Sequence, residues 1–154
     1  MSKKICWYIR HVGDEDYIFI TAKVANPMEP AKAEKLEFLV DTGASGCAIP
    51  ESVAEKLGLE HKGYVDAGLA DGSVKRVKAT YVLLEVAGKR LYTWTIFGEG
   101  FQPLLGVDVM RVLGVHLDVP EKKMLVPFRH FKVKNMFLTT GMRPHVFDVL
   151  GIRR

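Results

Sequence analysis

The sequence predicts an all-β domain with two short helices, and three observations point there. Strand-type runs rich in aromatic and β-branched residues dominate. They are short and separated by Gly, Pro, Asn and Asp turns. Up to residue 127, only residues 50–58 and about 109–113 read as helix.

In chain order, Ile5 to Val12 and Tyr17 to Val24 are strands, and Gly13-Asp14-Glu15-Asp16 between them reads as a hairpin loop. Ala25 to Ala31, with two prolines, reads as a surface connection. Leu36 to Val40 is a short apolar strand covered on both faces. Asp41-Thr42-Gly43-Ala44-Ser45-Gly46 is a turn. Pro50 to Gly58 is a helix with proline at its start, acids in its first turn and glycine at its close. Tyr64 to Ala70 and Ser73 to Val86 flank Asp71-Gly72, a preferred type I′ pair, and form a second hairpin. Ala87-Gly88-Lys89 turns into a strand over Arg90 to Phe97. Pro103 to Gly106 ends another apolar strand, and the second helix follows. Val115 to Val119 and Met124 to Val126 close the sheet around Pro120 to Lys123. The total is about nine strands with no solenoid repeat.

A chain of 154 residues fits one domain and can bury a core without disulfides. The core is expected to span residues 1–127, followed by a basic extension over 128–154 that packs on or near the assembled protein. Residues 121–154 hold eight Lys and Arg against Glu121 and Asp148. The overall charge of +4 is therefore −2 over the first 120 residues and +6 over the rest. Any polyanion would be met at that basic end. No apolar run approaches the roughly 20 residues of a membrane span. Arg10, Asp14, Glu15 and Asp16 interrupt any leader-type apolar region, so the expected location is cytoplasmic. Cys6 and Cys47 read as two small buried side chains rather than as a structural disulfide, and the five histidines show no zinc spacing, so neither metal nor cofactor is expected.

The chemistry-bearing segment is Phe38-Leu39-Val40-Asp41-Thr42-Gly43-Ala44. An apolar strand delivers a lone carboxylate to a tight turn, where glycine allows close backbone approach. On the triplet alone, Asp41 could equally bond its own turn. Further along stand Ile49-Pro50 leading to Leu57-Gly58-Leu59, then Ala70-Asp71-Gly72-Ser73. Last come Leu104-Leu105-Gly106-Val107-Asp108 and Leu113-Gly114-Val115-His116-Leu117-Asp118. In this order and at these intervals, over residues 17–127, the sequence resembles the retroviral-type (retropepsin-like) aspartic peptidases and their small cellular and prokaryotic relatives.

The resemblance implies a closed, acid-protease-type barrel half assembled as a symmetric homodimer. It implies that Asp41 is the catalytic aspartate. Thr42 would tie the two active-site loops across the dimer axis, Gly43 would admit substrate backbone, and Ala44 would complete the loop. Leu105 and Gly106 would support that loop from behind. Ala70, Asp71, Gly72 and Ser73 would form the flap over a bound peptide. The implied activity is endopeptidase action on extended peptide or unfolded protein, with water activated between two aspartates that share a proton, the general pattern of aspartic proteases. One Asp-Thr-Gly per chain leaves the second carboxylate to a second copy.

Asp108, just before the second helix, reads as its N-cap rather than as a second carboxylate within one chain. Asp71 reads first as a turn residue. Two other functions stand beside the peptidase. One is a non-catalytic dimeric module binding peptide or protein through the same fold. The other is nucleic-acid association through the basic end, where Phe128-Arg129-His130-Phe131-Lys132-Val133-Lys134 mixes aromatic and basic residues.

Overall fold

The computed structural model describes residues 3–5, 8–12, 15–69, 71–118 and 123–127. The extension 128–154, Cys6, Trp7 and Ala70 lie outside the described residues, and so does the expectation that the extension packs on the dimer.

Eleven strands and two helices follow in order: β1 (Lys3–Ile5), β2 (Tyr8–Val12), β3 (Glu15–Asn26), β4 (Glu29–Val40), β5 (Cys47–Pro50), α1 (Glu51–Lys56), β6 (Gly63–Gly68), β7 (Val74–Val86), β8 (Lys89–Gly98), β9 (Leu104–Leu105), α2 (Val107–Leu113), β10 (His116–Asp118) and β11 (Lys123–Pro127). The predicted class holds. The first predicted strand, however, is two: β1 joins β11 and β10 in a small sheet, while β2 pairs with β3 in the main one.

The main sheet runs β2-β3-β4-β9-β5-β8-β7-β6, and β7 pairs back onto β3 through Lys23↔Glu85, Val24↔Leu84 and Ala25↔Leu83. Strands β3, β4, β9, β5, β8 and β7 thus close into a ring, with β2 and β6 attached outside it. Alternation puts the apolar side chains inside. Along β7, Thr80, Val82, Leu84 and Val86 are buried while Tyr81 is exposed; along β8, Thr93, Thr95 and Phe97 are buried. Ile20, Val24, Phe38, Ile49, Leu84 and Leu105 fill the centre, and Leu57 and Leu113 seal α1 and α2 against it. Burying each such side chain stabilises the fold by about 1.5–3 kcal/mol.

Two connections differ from the sequence expectation. The supposed surface connection after Ala25 is a two-residue turn at Pro27 and Met28 between 12-residue strands. The register steps from Ala25↔Ala33 to Asn26↔Glu29, so Pro30, Ala31 and Lys32 bulge out of the ladder. Proline has no N–H to lose there. The type I′ turn is not at Asp71-Gly72, since Asp71 keeps a negative φ. Instead it is at Ala87-Gly88, where φ is 51° and 76° and the register closes Val86↔Lys89.

Among the described residues, no helix is long and apolar enough to cross a membrane.

Candidate active site

Asp41 follows the last residue of β4. That strand runs parallel to β9, with Leu39↔Leu104 and Val40↔Leu105. On its other side β9 meets β5 at Ala48. The loop 41–46 therefore joins two strands with a third inserted between them. The Leu39 N–H donates to the Pro103 carbonyl at 3.0 Å, and the Asp41 N–H to the Leu105 carbonyl at 3.1 Å. The backbone that carries the carboxylate is pinned from behind by the Pro-Leu-Leu-Gly segment.

Within the loop the Gly43 N–H donates to Asp41 Oδ1 at 2.8 Å, which orients the carboxylate. The Ala44 N–H donates to the Asp41 carbonyl at 3.3 Å. Asp41 is half-buried, and Thr42 and Gly43 are exposed. Among the described residues the Thr42 hydroxyl has no hydrogen-bond partner.

The start of α2 holds the far half of the loop. The Val107 N–H donates to the Ala44 carbonyl at 2.9 Å, and the Asp108 N–H to the Ser45 carbonyl at 3.1 Å. Gly106 makes this approach possible. It is buried, its backbone is extended (φ −91°, ψ 178°), and a side chain there would fall on the Gly46 backbone. The requirement at 106 is space rather than an unusual dihedral. Asp41, Thr42, Gly43, Ala44, Leu105 and Gly106 are thus brought into one unit.

Asp108 is not the N-cap. Gly106 holds that place without a side-chain cap, and Asp108 is the second helical residue. The helix starts early because the Val107 and Asp108 N–H groups already have partners on the loop. The half-buried Asp108 carboxylate accepts from the Val109 N–H (2.7 Å), the Thr93 hydroxyl (3.4 Å) and the Cys47 thiol (3.8 Å). Burial raises its pKa above the ordinary carboxylate value, and those three donors oppose the rise. Cys47, buried and unpaired as a thiol, is pushed up to about 12 by burial and then by the Asp108 charge. Sequence reasoning missed Thr93 and Cys47 because each lies in an unremarkable apolar run. Their link to Asp108 spans 15 and 61 positions.

At the tip of the β6–β7 hairpin is a loop in which the Leu69 N–H donates to the Ser73 carbonyl at 2.8 Å and the Gly72 N–H to the Leu69 carbonyl at 2.9 Å. Gly72, at φ 82°, takes the left-handed position that closes such a loop. Asp71 Oδ1 accepts from the Ser73 hydroxyl (2.6 Å) and N–H (2.9 Å), and these bonds lower its pKa. Asp71 is therefore the turn residue its sequence context suggested. Among the described residues no hydrogen bond joins this tip to the Asp41 loop.

A separate depression of about 260 Å³ is lined by Glu51, Glu55, Glu60, His61, Lys78 and Phe97, among others, and by no residue of the Asp41 loop. Among the described residues no cluster of His, Cys, Asp and Glu could hold a metal.

The profile of the "gag-polyprotein putative aspartyl protease" family matches residues 31–112, just over half of the chain. The chain belongs to this gag-type aspartyl protease family. The matched stretch contains the Asp41 loop, the β6–β7 hairpin and the Leu-Leu-Gly segment. No curated protein matches the sequence significantly. Solved structures show the same fold. A retropepsin-like aspartic protease from Rickettsia conorii superposes with a TM-score of 0.54 at 22% identity, over 82% of this chain and 94% of that one. EIAV protease, in a complex with the inhibitor HBY-793, superposes with a TM-score of 0.52 at 19% identity, over 71% of this chain and 99% of that one. The mainly β architecture with two short helices is the retropepsin-like fold.

Proposed function

We propose that this chain is an endopeptidase that works as a symmetric homodimer, with Asp41 of each protomer supplying one carboxylate of a catalytic pair. The observation that carries the reading is the placement of Asp41: a carboxylate at a strand end, oriented by the Gly43 N–H, on a loop whose Thr42 and Gly43 face solvent. Membership of an aspartyl protease family supplies the reaction class.

The chain carries a single Asp-Thr-Gly, and hydrolysis by two carboxylates needs a second. A two-fold axis beside the loop would bring in Asp41 of the second copy, and the Thr42 hydroxyl, without a partner among the described residues, suits a loop-to-loop contact there. Two such carboxylates share one proton. The ionised one takes a proton from water as that water attacks the scissile carbonyl, and the protonated one donates to the developing oxyanion. The β6–β7 hairpin tip, Asp71 to Ser73, serves as the cover over an extended peptide held by strand-type backbone bonds.

The test is incubation of the purified dimer with an unfolded protein from about pH 3 to 7, where carboxylates can share a proton, with Asp41→Asn in parallel. Cleavage that traces a bell in pH and disappears in the variant is expected. Wild-type turnover by Asp41→Asn overturns the assignment. Absence of cleavage by a confirmed dimer favours the peptide-binding module.

A further inference from the structure

The Asp108 carboxylate accepts hydrogen bonds from three elements, its own helix α2, the start of β5 and β8, whose apolar side chains also share the core. Oδ1 accepts from the Val109 N–H on its own helix and from the Cys47 thiol, where the Asp41 loop runs into β5. Oδ2 accepts from the Thr93 hydroxyl on β8. Thr93 and Cys47 are buried, and the main chain of Asp108 holds the Ser45 carbonyl of the same loop. Cys47 is also tied to β8 by the parallel pairing Cys47↔Thr95. The cluster therefore lies where β5, β8 and α2 converge on the end of the loop that begins at Asp41. Asp41 and Gly43 fix the leading end of that loop, and Asp108 fixes the trailing end.

The geometry points to Asp108 as a positioning residue for Asp41: its side chain locks the 41–46 loop against the barrel by hydrogen bonding, without taking part in proton transfer. This rests on the peptidase reading for its kinetic test but not for its structural one. What the site requires is an acceptor toward Val109 and Cys47 and a polar partner for Thr93. Ionisation is not required, because a hydroxyl can donate or accept. An amide at 108 supplies both, with its oxygen toward Val109 and Cys47 and its nitrogen donating to Thr93.

The kinetic experiment compares Asp108→Ala, Asp108→Asn and Thr93→Val with wild type as dimers at saturating protein concentration. Asp108→Ala is expected to lower kcat about 10–100-fold while KM changes less than about threefold, since a misplaced acid slows chemistry more than binding. Asp108→Asn is expected to rescue kcat to within about threefold with an unshifted pH–rate bell, and Thr93→Val to fall between them. An Asp108→Asn as inactive as Asp41→Asn overturns the proposal, because the acid itself would then be needed. Unchanged kcat in Asp108→Ala overturns it equally. Should Asp108→Ala not fold, Asp108→Asn and Thr93→Val decide alone.

The structural experiment is amide hydrogen exchange, which reads the loop whether or not the protein cleaves anything. Asp108→Ala, or Thr93→Val in its place, is expected to speed exchange at residues 41–47 by about tenfold or more while β7 and β8 keep their protection. Uniform acceleration throughout the barrel would show a general loss of stability and overturn the positioning role. Loop-confined acceleration in a protein that cleaves nothing would uphold the positioning role and count against the peptidase reading alone.

Discussion

The side-chain amide of Asn26 donates to the carbonyl of Leu57 at 3.0 Å across 31 positions of sequence, and also to that of Gly58 at 3.2 Å. Its oxygen meanwhile accepts from the Met28 N–H at 2.9 Å. One buried amide thus fixes the β3–β4 turn and closes the C-terminal end of α1, where carbonyls lack helical partners. Asn26→Ala leaves those groups unsatisfied in a buried setting and should cost about 1–3 kcal/mol in urea unfolding. A loss below about 0.5 kcal/mol would mean that water replaces the amide at no penalty.

Mixing protomers tests the shared site. If wild type and Asp41→Asn are unfolded together in equal amounts and refolded, random pairing makes half of the dimers mixed. A site needing both carboxylates leaves about a quarter of the activity, whereas independent sites would leave about half.

Gly106→Ala should be among the most damaging small substitutions in the barrel. The new methyl would overlap the Gly46 backbone, which cannot rotate away as a side chain can. A cost of about 3 kcal/mol or more is expected, with loss of cleavage because the Asp41 loop must shift. The comparison is Gly72→Ala, where φ is 82° but nothing lies within 4 Å. There the penalty should stay near 1–2 kcal/mol, measured by denaturant midpoint.

Asp108 should leave a mark on stability as a function of pH. Burial holds its pKa above the unfolded value, so the folded state binds this proton more tightly. The associated stability is complete below the ordinary carboxylate range and is lost as pH rises through the raised value. The unfolding free energy of wild type relative to Asp108→Asn should therefore fall progressively as pH rises through and above the ordinary carboxylate range. A difference that stays flat would show that Asp108 titrates as it does in water. Asp71 and Glu85, whose pKa values are lowered by Ser73 and Arg90, drift the opposite way in both proteins and cancel in the comparison.

Much of the fold was legible because period-two burial writes itself into sequence: the β7 and β8 runs, the Pro50 helix start and the Leu104-Leu105 strand all fall where their residue types predicted. The first half of β4 was not legible. Glu29 to Lys35 is polar and contains a proline, and it is a strand only because β3 offers it a partner. Asp71-Gly72 drew the type I′ assignment by propensity, yet the tighter turn fell to Ala87-Gly88, where Val86 pairs with Lys89. At the site, the loop residues were legible as a motif and as a unit. The Asp108 contacts were not, since a capping aspartate and one whose carboxylate is shared with Thr93 and Cys47 look alike until the barrel closes.

The insertion of β9 between β4 and β5 bears on when this protein can act. Leu39 and Val40 wait for partners 65 positions further along the chain, and until Leu104 and Leu105 arrive the Asp41 N–H has no acceptor. A chain emerging from the ribosome can therefore form the β3–β4 hairpin early, but its acidic loop stays unassembled until nearly the whole barrel has been synthesised. Under the proposed peptidase reading, late closure of this kind would keep the Asp41 loop from being competent on nascent chains.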